Sequence, residues 1–234
     1  MNKIIVTTSW DDGHKLDIKL AALLKKYGIA GTFYVAPHNR EFNQADLLNS
    51  EGIIQISRDF EIGAHTMTHP RLPQTSDKLA SQEIAQSKTY LEELIGQPVT
   101  TFCYPRGEYE PKHVKMVQDA GFRYARTVKR DYSLNQNAPL FESQTTINAY
   151  SHLSDVWEIA KFANFNPLKF FPYLSWDNLA IAIFDRMLEE GGIYHLWGHS
   201  WEVDKLKYWS KLERVLAHIA HRAEADYVPN RNLS

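Results

Sequence analysis

Along this chain, short runs rich in β-branched and aromatic residues alternate with longer stretches in which apolar side chains recur every three or four positions, the mark of repeated βα units. Ile4 to Thr8 reads as a first strand. Leu16, Leu20, Leu23 and Leu24 then form a helical face that stops at Gly28, a suitable C-cap glycine. Thr32 to Val35 reads as a second strand and Phe60 to Gly63 as a third. A long helix from Ser76 carries Leu79, Ala80, Ile84, Leu91 and Leu94 up to Gly96. Thr101 to Tyr104 is a fourth strand, Pro111 opens a helix that runs to Ala120, and Phe122 to Val128 is a fifth strand. Ser143 to Ala149 makes a sixth. Residues 150 to 175, full of aromatics and without a clear period, read as an irregular exposed connection near the rim. Helix returns from Trp176 to Glu190, Gly191-Gly192 breaks it, and Ile193 to Gly198 is an apolar last strand. Ser210 and Glu213 form a capping box for a final helix. With no repeat, low-complexity segment or linker, residues 1–234 read as a single α/β domain, a barrel of about seven βα-like units.

Composition narrows the partners. The 234 residues carry 26 basic and 28 acidic side chains for a net charge of -2, so there is no basic footprint for nucleic acid or for an anionic membrane surface. Cys103 has no second cysteine to pair with, which is compatible with a reducing compartment. Met1 to Trp10 lacks the apolar stretch of a signal peptide, and no window approaches the roughly 18 apolar residues of a membrane helix. The expectation is a cytoplasmic protein with a neutral or weakly charged substrate and no membrane partner.

The chemistry-bearing residues stand at strand ends. Asp11 and Asp12 follow the first strand and precede Gly13; alone, Asp-Asp-Gly is also common turn chemistry. His65 and His69, four apart after the third strand, would share a side if one helical turn joined them. Two histidines and a carboxylate can hold a divalent metal and leave positions open for water and substrate. His195 and His199 share one parity on the last strand. His199 lies at its C-terminal end and His195 a layer deeper. His218 and His221 on the final helix read as surface residues, and His14, His38, His113 and His152 have no partner pattern.

Thr8-Ser9-Trp10-Asp11-Asp12-Gly13 and His65-Thr66-Met67-Thr68-His69-Pro70 resemble the first two motifs of the polysaccharide deacetylases, carbohydrate esterase family four. The resemblance runs from Ile4 to about Ser200. It implies an incomplete, distorted (β/α) barrel in which Asp12, His65 and His69 bind a divalent metal, usually zinc, Asp11 is the general base, and Thr66 shapes the loop. Gly192 to Ser200 occupies the place of the family's last motif, which ends in the acid histidine; the resemblance makes His199, at the strand's C-terminal end, the candidate acid, with His195 as the alternative. Phe102-Cys103-Tyr104-Pro105-Arg106-Gly107 resembles the third motif, with Tyr104, Pro105 and Arg106 toward substrate and oxyanion. Cys103 stands there in place of an arginine that contacts the base, and Arg106 in place of an aromatic. Cys103 reads as a small buried residue, and Arg106 is the candidate to reach the site instead. The fourth motif, an acidic partner for the acid histidine, has only Arg130-Asp131 to offer. Trp157, Trp176, Trp197 and Trp201 suit either sugar stacking or core packing.

The resemblance implies removal of an acetyl group from an N-acetylated saccharide. Two other readings stay open: hydrolysis of a linear or cyclic non-saccharide amide on the same site, and a catalytically silent carbohydrate-binding or scaffold protein. The sequence leaves the oligomeric state undetermined.

Overall fold

The computed structural model of the chain describes residues 3–130, 139–151 and 156–233. The strands are β1 (Ile4–Asp11), β2 (Thr32–Val35), β3 (Glu61–Ala64), β4 (Thr101–Cys103), β5 (Tyr124–Arg130), β6 (Ser143–Thr145), β7 (Ile147–Asn148), β8 (Ile193–Gly198) and β9 (Ala225–Tyr227). The helices are α1 (Asp17–Lys26), α2 (Ser50–Ser57), α3 (Asp77–Ile95), α4 (Pro111–Asp119), α5 (Val156–Phe162), α6 (Pro167–Tyr173), α7 (Trp176–Glu190), α8 (Ser200–Lys205) and α9 (Trp209–Ile219).

All strand pairs are parallel, in the order β6-β5-β4-β3-β2-β1-β8-β7, with β9 also on β1. The expected sixth strand is present as two pieces with different partners: β6 pairs with β5 and β7 with β8. Thr146 lies between them. Its N–H donates to the His195 carbonyl at 3.0 Å, and its hydroxyl donates to the Ile193 carbonyl at 3.0 Å while accepting from the His195 N–H at 3.0 Å. The chain thus carries the sheet round from one edge to the other, and a nearly closed barrel results. Counting β6 and β7 as one stave recovers the seven expected from sequence.

Side chains alternate along β1, as strand geometry requires. Val6 and Trp10 enter the apolar layer under the helices, with Leu20 and Leu24 of α1 and Leu212, Val215, Leu216 and Ile219 of α9. Thr7, Ser9 and Asp11 bond to groups inside the barrel instead. That interior is polar. Glu61 accepts from the hydroxyls of Thr32 at 2.7 Å and Thr101 at 3.0 Å. Asn230, fully buried, accepts from Thr7 at 2.9 Å and donates to the Tyr34 hydroxyl at 2.9 Å, closing the floor with the C-terminal turn.

Three expectations are corrected. Residues 150–175 include helices α5 and α6, in which exposed Trp157, Leu168 and Phe171 stand among buried Ile159 and the core-packed Phe162, Phe170 and Tyr173, so apolar residues fall on both faces and no clean amphipathic period marks them. The Ser210/Glu213 capping box does not form. α9 begins at Trp209 with Tyr208 as its cap, and Glu213 instead accepts from Lys26 at 2.6 Å and Tyr27 at 3.1 Å. Helices α2 and α8 and strand β9 were not foreseen. No helix among the described residues is long and apolar enough to cross a membrane.

Because both Asn230 side-chain bonds are buried, Asn230→Ala is expected to cost about 2–4 kcal/mol through two stranded partners. A lowered urea midpoint at unchanged m-value checks it.

Candidate active site

Parallel strands bring their C-terminal ends to one face, and the singled-out residues gather there. β1 ends at Asp11, after which Asp12 (φ 82) and Gly13 (φ 68) both take left-handed backbone, turning the chain so that adjacent carboxylates serve different partners. The Asp11 carboxylate accepts from the Arg126 guanidinium and, at 3.6 Å, from the Cys103 thiol. Burial pushes its pKa up, but Arg126, then His65 and His199, outweigh burial and hold it below the ordinary carboxylate value.

His65 and His69 do not sit on a helical turn. β3 stops at Ala64, and the following loop uses left-handed backbone at Thr66 and His69. The Thr66 hydroxyl accepts the His69 N–H at 3.1 Å. Glu83, reaching from α3, takes the N–H groups of Met67 at 2.9 Å and Thr68 at 2.8 Å and the Thr68 hydroxyl at 2.7 Å. The two rings end side by side, 4.7 Å between centroids. His65 donates through Nδ1 to the Cys103 carbonyl at 2.7 Å, and His69 through Nδ1 to Glu41 at 2.5 Å.

Both Nε2 atoms then face Asp12 Oδ1, at 3.8 and 3.4 Å. The three donor atoms lie within 4.8 Å of one another, all on buried residues, and could hold a metal ion. Two imidazoles with fixed tautomers, each with an outer partner, and one carboxylate suit a divalent transition metal. Asp12 is itself aimed: its Oδ2 accepts from Trp201 Nε1 at 2.8 Å. Asp11, His65 and Cys103 also bring their donor atoms within 4.8 Å of one another, but the Arg126 guanidinium on Asp11 already supplies the positive charge there.

His199 stands across the site with Nε2 3.8 Å from Asp12 Oδ2, and its Nδ1 donates to Glu202 of α8 at 2.5 Å. Burial works against its proton, yet Asp12 and Glu202 prevail and lift its pKa to about 9. His195 lies deeper, its Nε2 2.8 Å from the Ser9 hydroxyl, and burial with Arg126 nearby pushes its pKa down to about 3. It does not line the pocket of about 530 Å³ that holds Asp11, Asp12, His65, His69, Tyr104, Arg106 and His199.

The altered third motif is resolved by another strand. Arg106 does not contact Asp11; it pairs with Glu41 at 2.7 Å, and Arg126 of β5 contacts the base candidate instead. Arg126 is fully buried, with its guanidinium 4.7 Å from the Trp197 ring centre and 5.3 Å from that of Tyr34. Cys103 is a fully buried thiol, small enough to leave that room. Tyr104 donates to the Phe141 carbonyl at 3.0 Å, Pro105 is buried, and Gly107 (φ 69) runs so close to β5 that a Cβ would lie 2.2 Å from Val128 Cγ2.

Arg126, Glu41, Glu83 and Glu202 escaped the sequence reading; of these only Glu202, in His199-Ser200-Trp201-Glu202, stood near a motif. Asp131 and His152 lie outside the described residues. Trp197 and Trp201 line the pocket, Trp176 is core and Trp157 is exposed. His218 bonds Asp185 at 2.7 Å on the surface, away from the cluster.

Residues 1–125 match the family model described as polysaccharide deacetylase, a span that holds Asp11, Asp12, His65, His69 and the third motif but not Arg126, His199 or Glu202. The chain is 26% identical over 125 residues to the peptidoglycan-N-acetylglucosamine deacetylase of Bacillus cereus, covering 52% of this chain and 43% of that protein. A Bacillus subtilis protein named for the same family is 25% identical over 126 residues, 53% of this chain and 44% of its own. The aligned span is thus under half the length of these curated relatives. In fold, the chain resembles the chitin deacetylase of Colletotrichum lindemuthianum with a TM-score of 0.61 and 18% identity over 98% of this chain and 86% of that one. The family 4 carbohydrate esterase of Streptomyces lividans gives a TM-score of 0.57 and 14% identity over 93% and 88%.

The folded pKa of His195, about 3, lies below the unfolded value near 6.5, so between these limits the unfolded chain binds a proton that the folded chain refuses. Stability of the metal-free protein is therefore expected to fall as pH drops below about 6.5, by at most ~1.4 kcal/mol per pH unit from this group. His65, pushed down to about 4, adds to the slope. Denaturant melts of wild type and His195→Gln across this range check it: the variant should lose part of the slope.

Proposed function

The chain belongs to the polysaccharide deacetylase family, and we propose that its described barrel acts as one catalytic domain, a metal-dependent hydrolase that removes an acetyl group from an N-acetylated sugar or saccharide. The observation that carries this reading is the convergence, on one pocket, of the Asp12, His65 and His69 donor set with Asp11 on one side and His199 on the other.

Amide hydrolysis needs an activated water, relief of charge on the carbonyl oxygen, and a proton for the departing nitrogen. A divalent ion, zinc by kinship, held by Asp12, His65 and His69 would supply Lewis acidity there. Asp11, kept ionised by Arg126, accepts the proton of the attacking water. His199, kept protonated by Asp12 and Glu202, delivers a proton to the leaving nitrogen. Glu41 orients His69 and Trp201 orients Asp12, so both serve the chemistry through a neighbour. Tyr104 and Arg106 line the pocket on the substrate side, while Pro105 is buried behind them. His195 remains the alternative acid, but its bond to Ser9 and its depressed pKa favour a neutral structural role.

Elemental analysis of purified protein beside His69→Ala tests the metal: near-stoichiometric metal in the first and its loss with activity in the second are expected. Protein that takes up no metal even on reconstitution would sink the mechanism. Asp11→Asn should keep the metal while turnover of N-acetylglucosamine oligosaccharides drops by about 10²-fold or more; full turnover refutes its role as base. Parallel assays on simple cyclic amides separate the saccharide reading from the amide one.

The pH profile supplies an independent check. Glu202→Gln removes a carboxylate that favours the His199 proton, so the basic limb of kcat/KM should move to lower pH. An unmoved limb would exclude His199 as the acid.

A further inference from the structure

The paired histidines His65 and His69 are held from behind by partners of different kinds. His65 rests through Nδ1 on the Cys103 carbonyl at 2.7 Å, a backbone group that cannot swing away. His69 rests through Nδ1 on a side chain, Glu41 Oε1, at 2.5 Å. A glutamate has three rotatable bonds, and the Glu41 side chain is 37% exposed, so water and side-chain entropy both favour its release. It can orient an imidazole only if something orients it.

Glu41 is tied at both its root and its tip. The loop after β2 is laced to the histidine loop: the His38 N–H donates to the Met67 carbonyl at 2.9 Å and the Arg40 N–H to that of Thr68 at 3.3 Å. The Glu41 N–H donates to Asn39 Oδ1 at 3.0 Å. At the tip, Arg106 Nη2 lies 2.7 Å from Oε1, the same oxygen that accepts from His69. Arg106 comes from the turn after β4 on left-handed backbone (φ 57), which an L residue keeps only where its surroundings hold it. Three loops thus meet at one oxygen. Charge agrees with the geometry: Asp11 is matched by Arg126 and Glu41 by Arg106, which leaves Asp12 as the carboxylate offered to a cation beside the two histidines.

We infer that Arg106 is a positioning residue for a metal ligand: through the shared Glu41 oxygen it holds His69 in the tautomer and orientation that present Nε2 beside Asp12. The inference rests on the metal-dependent reading of this site, and it gives a task to the residue that replaces an aromatic ring in the third motif. An exposed ion pair contributes little to folding by itself. The effect belongs instead in metal affinity, where loss of the outer partner of a ligating histidine costs about 10–100-fold.

The test is zinc affinity, read by competition with a chromophoric chelator at one fixed pH. Arg106→Gln is expected to weaken zinc by about tenfold and Glu41→Ala by at least as much, while the double variant binds no more weakly than Glu41→Ala alone. Metal-free protein gives a second readout, which general loosening of the fold would not move selectively. Long-range proton–nitrogen NMR spectra should show the His69 proton on Nδ1 in wild type and divided between both nitrogens in Arg106→Gln, with His65 the same in each. Unchanged zinc affinity or an unchanged His69 tautomer in Arg106→Gln, or losses that add in the double variant, would overturn the inference and leave the deacetylase reading intact. The expected pattern in a protein that turns over no N-acetyl sugar would overturn the deacetylase reading and leave the inference standing. Wild-type protein that takes up no zinc would overturn both.

Discussion

A buried charge pair, Arg126 on Asp11, sets the terms for the rest of the barrel. A guanidinium removed from solvent needs a counter-charge, and removing either partner leaves the other stranded. The strands therefore enclose polar groups where packed aliphatic layers would otherwise fill the space. Ser9 meets His195, Glu61 gathers the hydroxyls of Thr32 and Thr101, and Asn230 bridges Thr7 and Tyr34. Such an interior is a poor source of stability and a good source of position. Its apolar energy comes instead from the layer between strands and helices.

The same device recurs around the site: a polar group on one element is fixed by a carboxylate or carbonyl from another. His65 rests on a backbone carbonyl of β4, His69 on Glu41, His199 on Glu202, and the loop between the first two on Glu83. Each partner fixes which ring nitrogen carries the proton and which is free to face Asp12 or the pocket. The imidazoles differ because their neighbours differ. His195, beside a guanidinium, is held neutral, while His199, beside two carboxylates, is held charged.

What the sequence made legible was what depends on local order. β2 and the extent of α7 follow from dense apolar runs with turn signals on both sides, and the strand-end positions of Asp11, Asp12, His65 and His69 follow from those strands. The parts that were illegible depend on neighbours remote in the chain. Arg126 lies in a strand whose other residues read as ordinary, and only the closed barrel brings it to Asp11, 115 positions earlier. Nothing local in the chain marks Glu41 or Glu83; loop geometry alone sets them against His69 and the backbone of Met67 and Thr68. Helices α5 and α6 escaped because the periodic signal requires one apolar face and one polar face, and theirs carry apolar residues on both. The split of the sixth strand at Thr146 reflects a change of pairing partner, which no propensity encodes.

The place of β1 in the sheet has a consequence for how the molecule assembles. It is made first, yet besides β2 its partners are β8 and β9, and Thr7 finds Asn230 only across 223 positions. Contacts of such separation close slowly, because the entropy of a nearly chain-length loop must be overcome before they form. Ser9 with His195 and Trp201 with Asp12 are made in that last closure. Until then one edge of β1 stands unpaired, a template for the strand of another chain. Catalytic competence and protection from aggregation therefore arrive in the same step, and a chain delayed before β8 has neither.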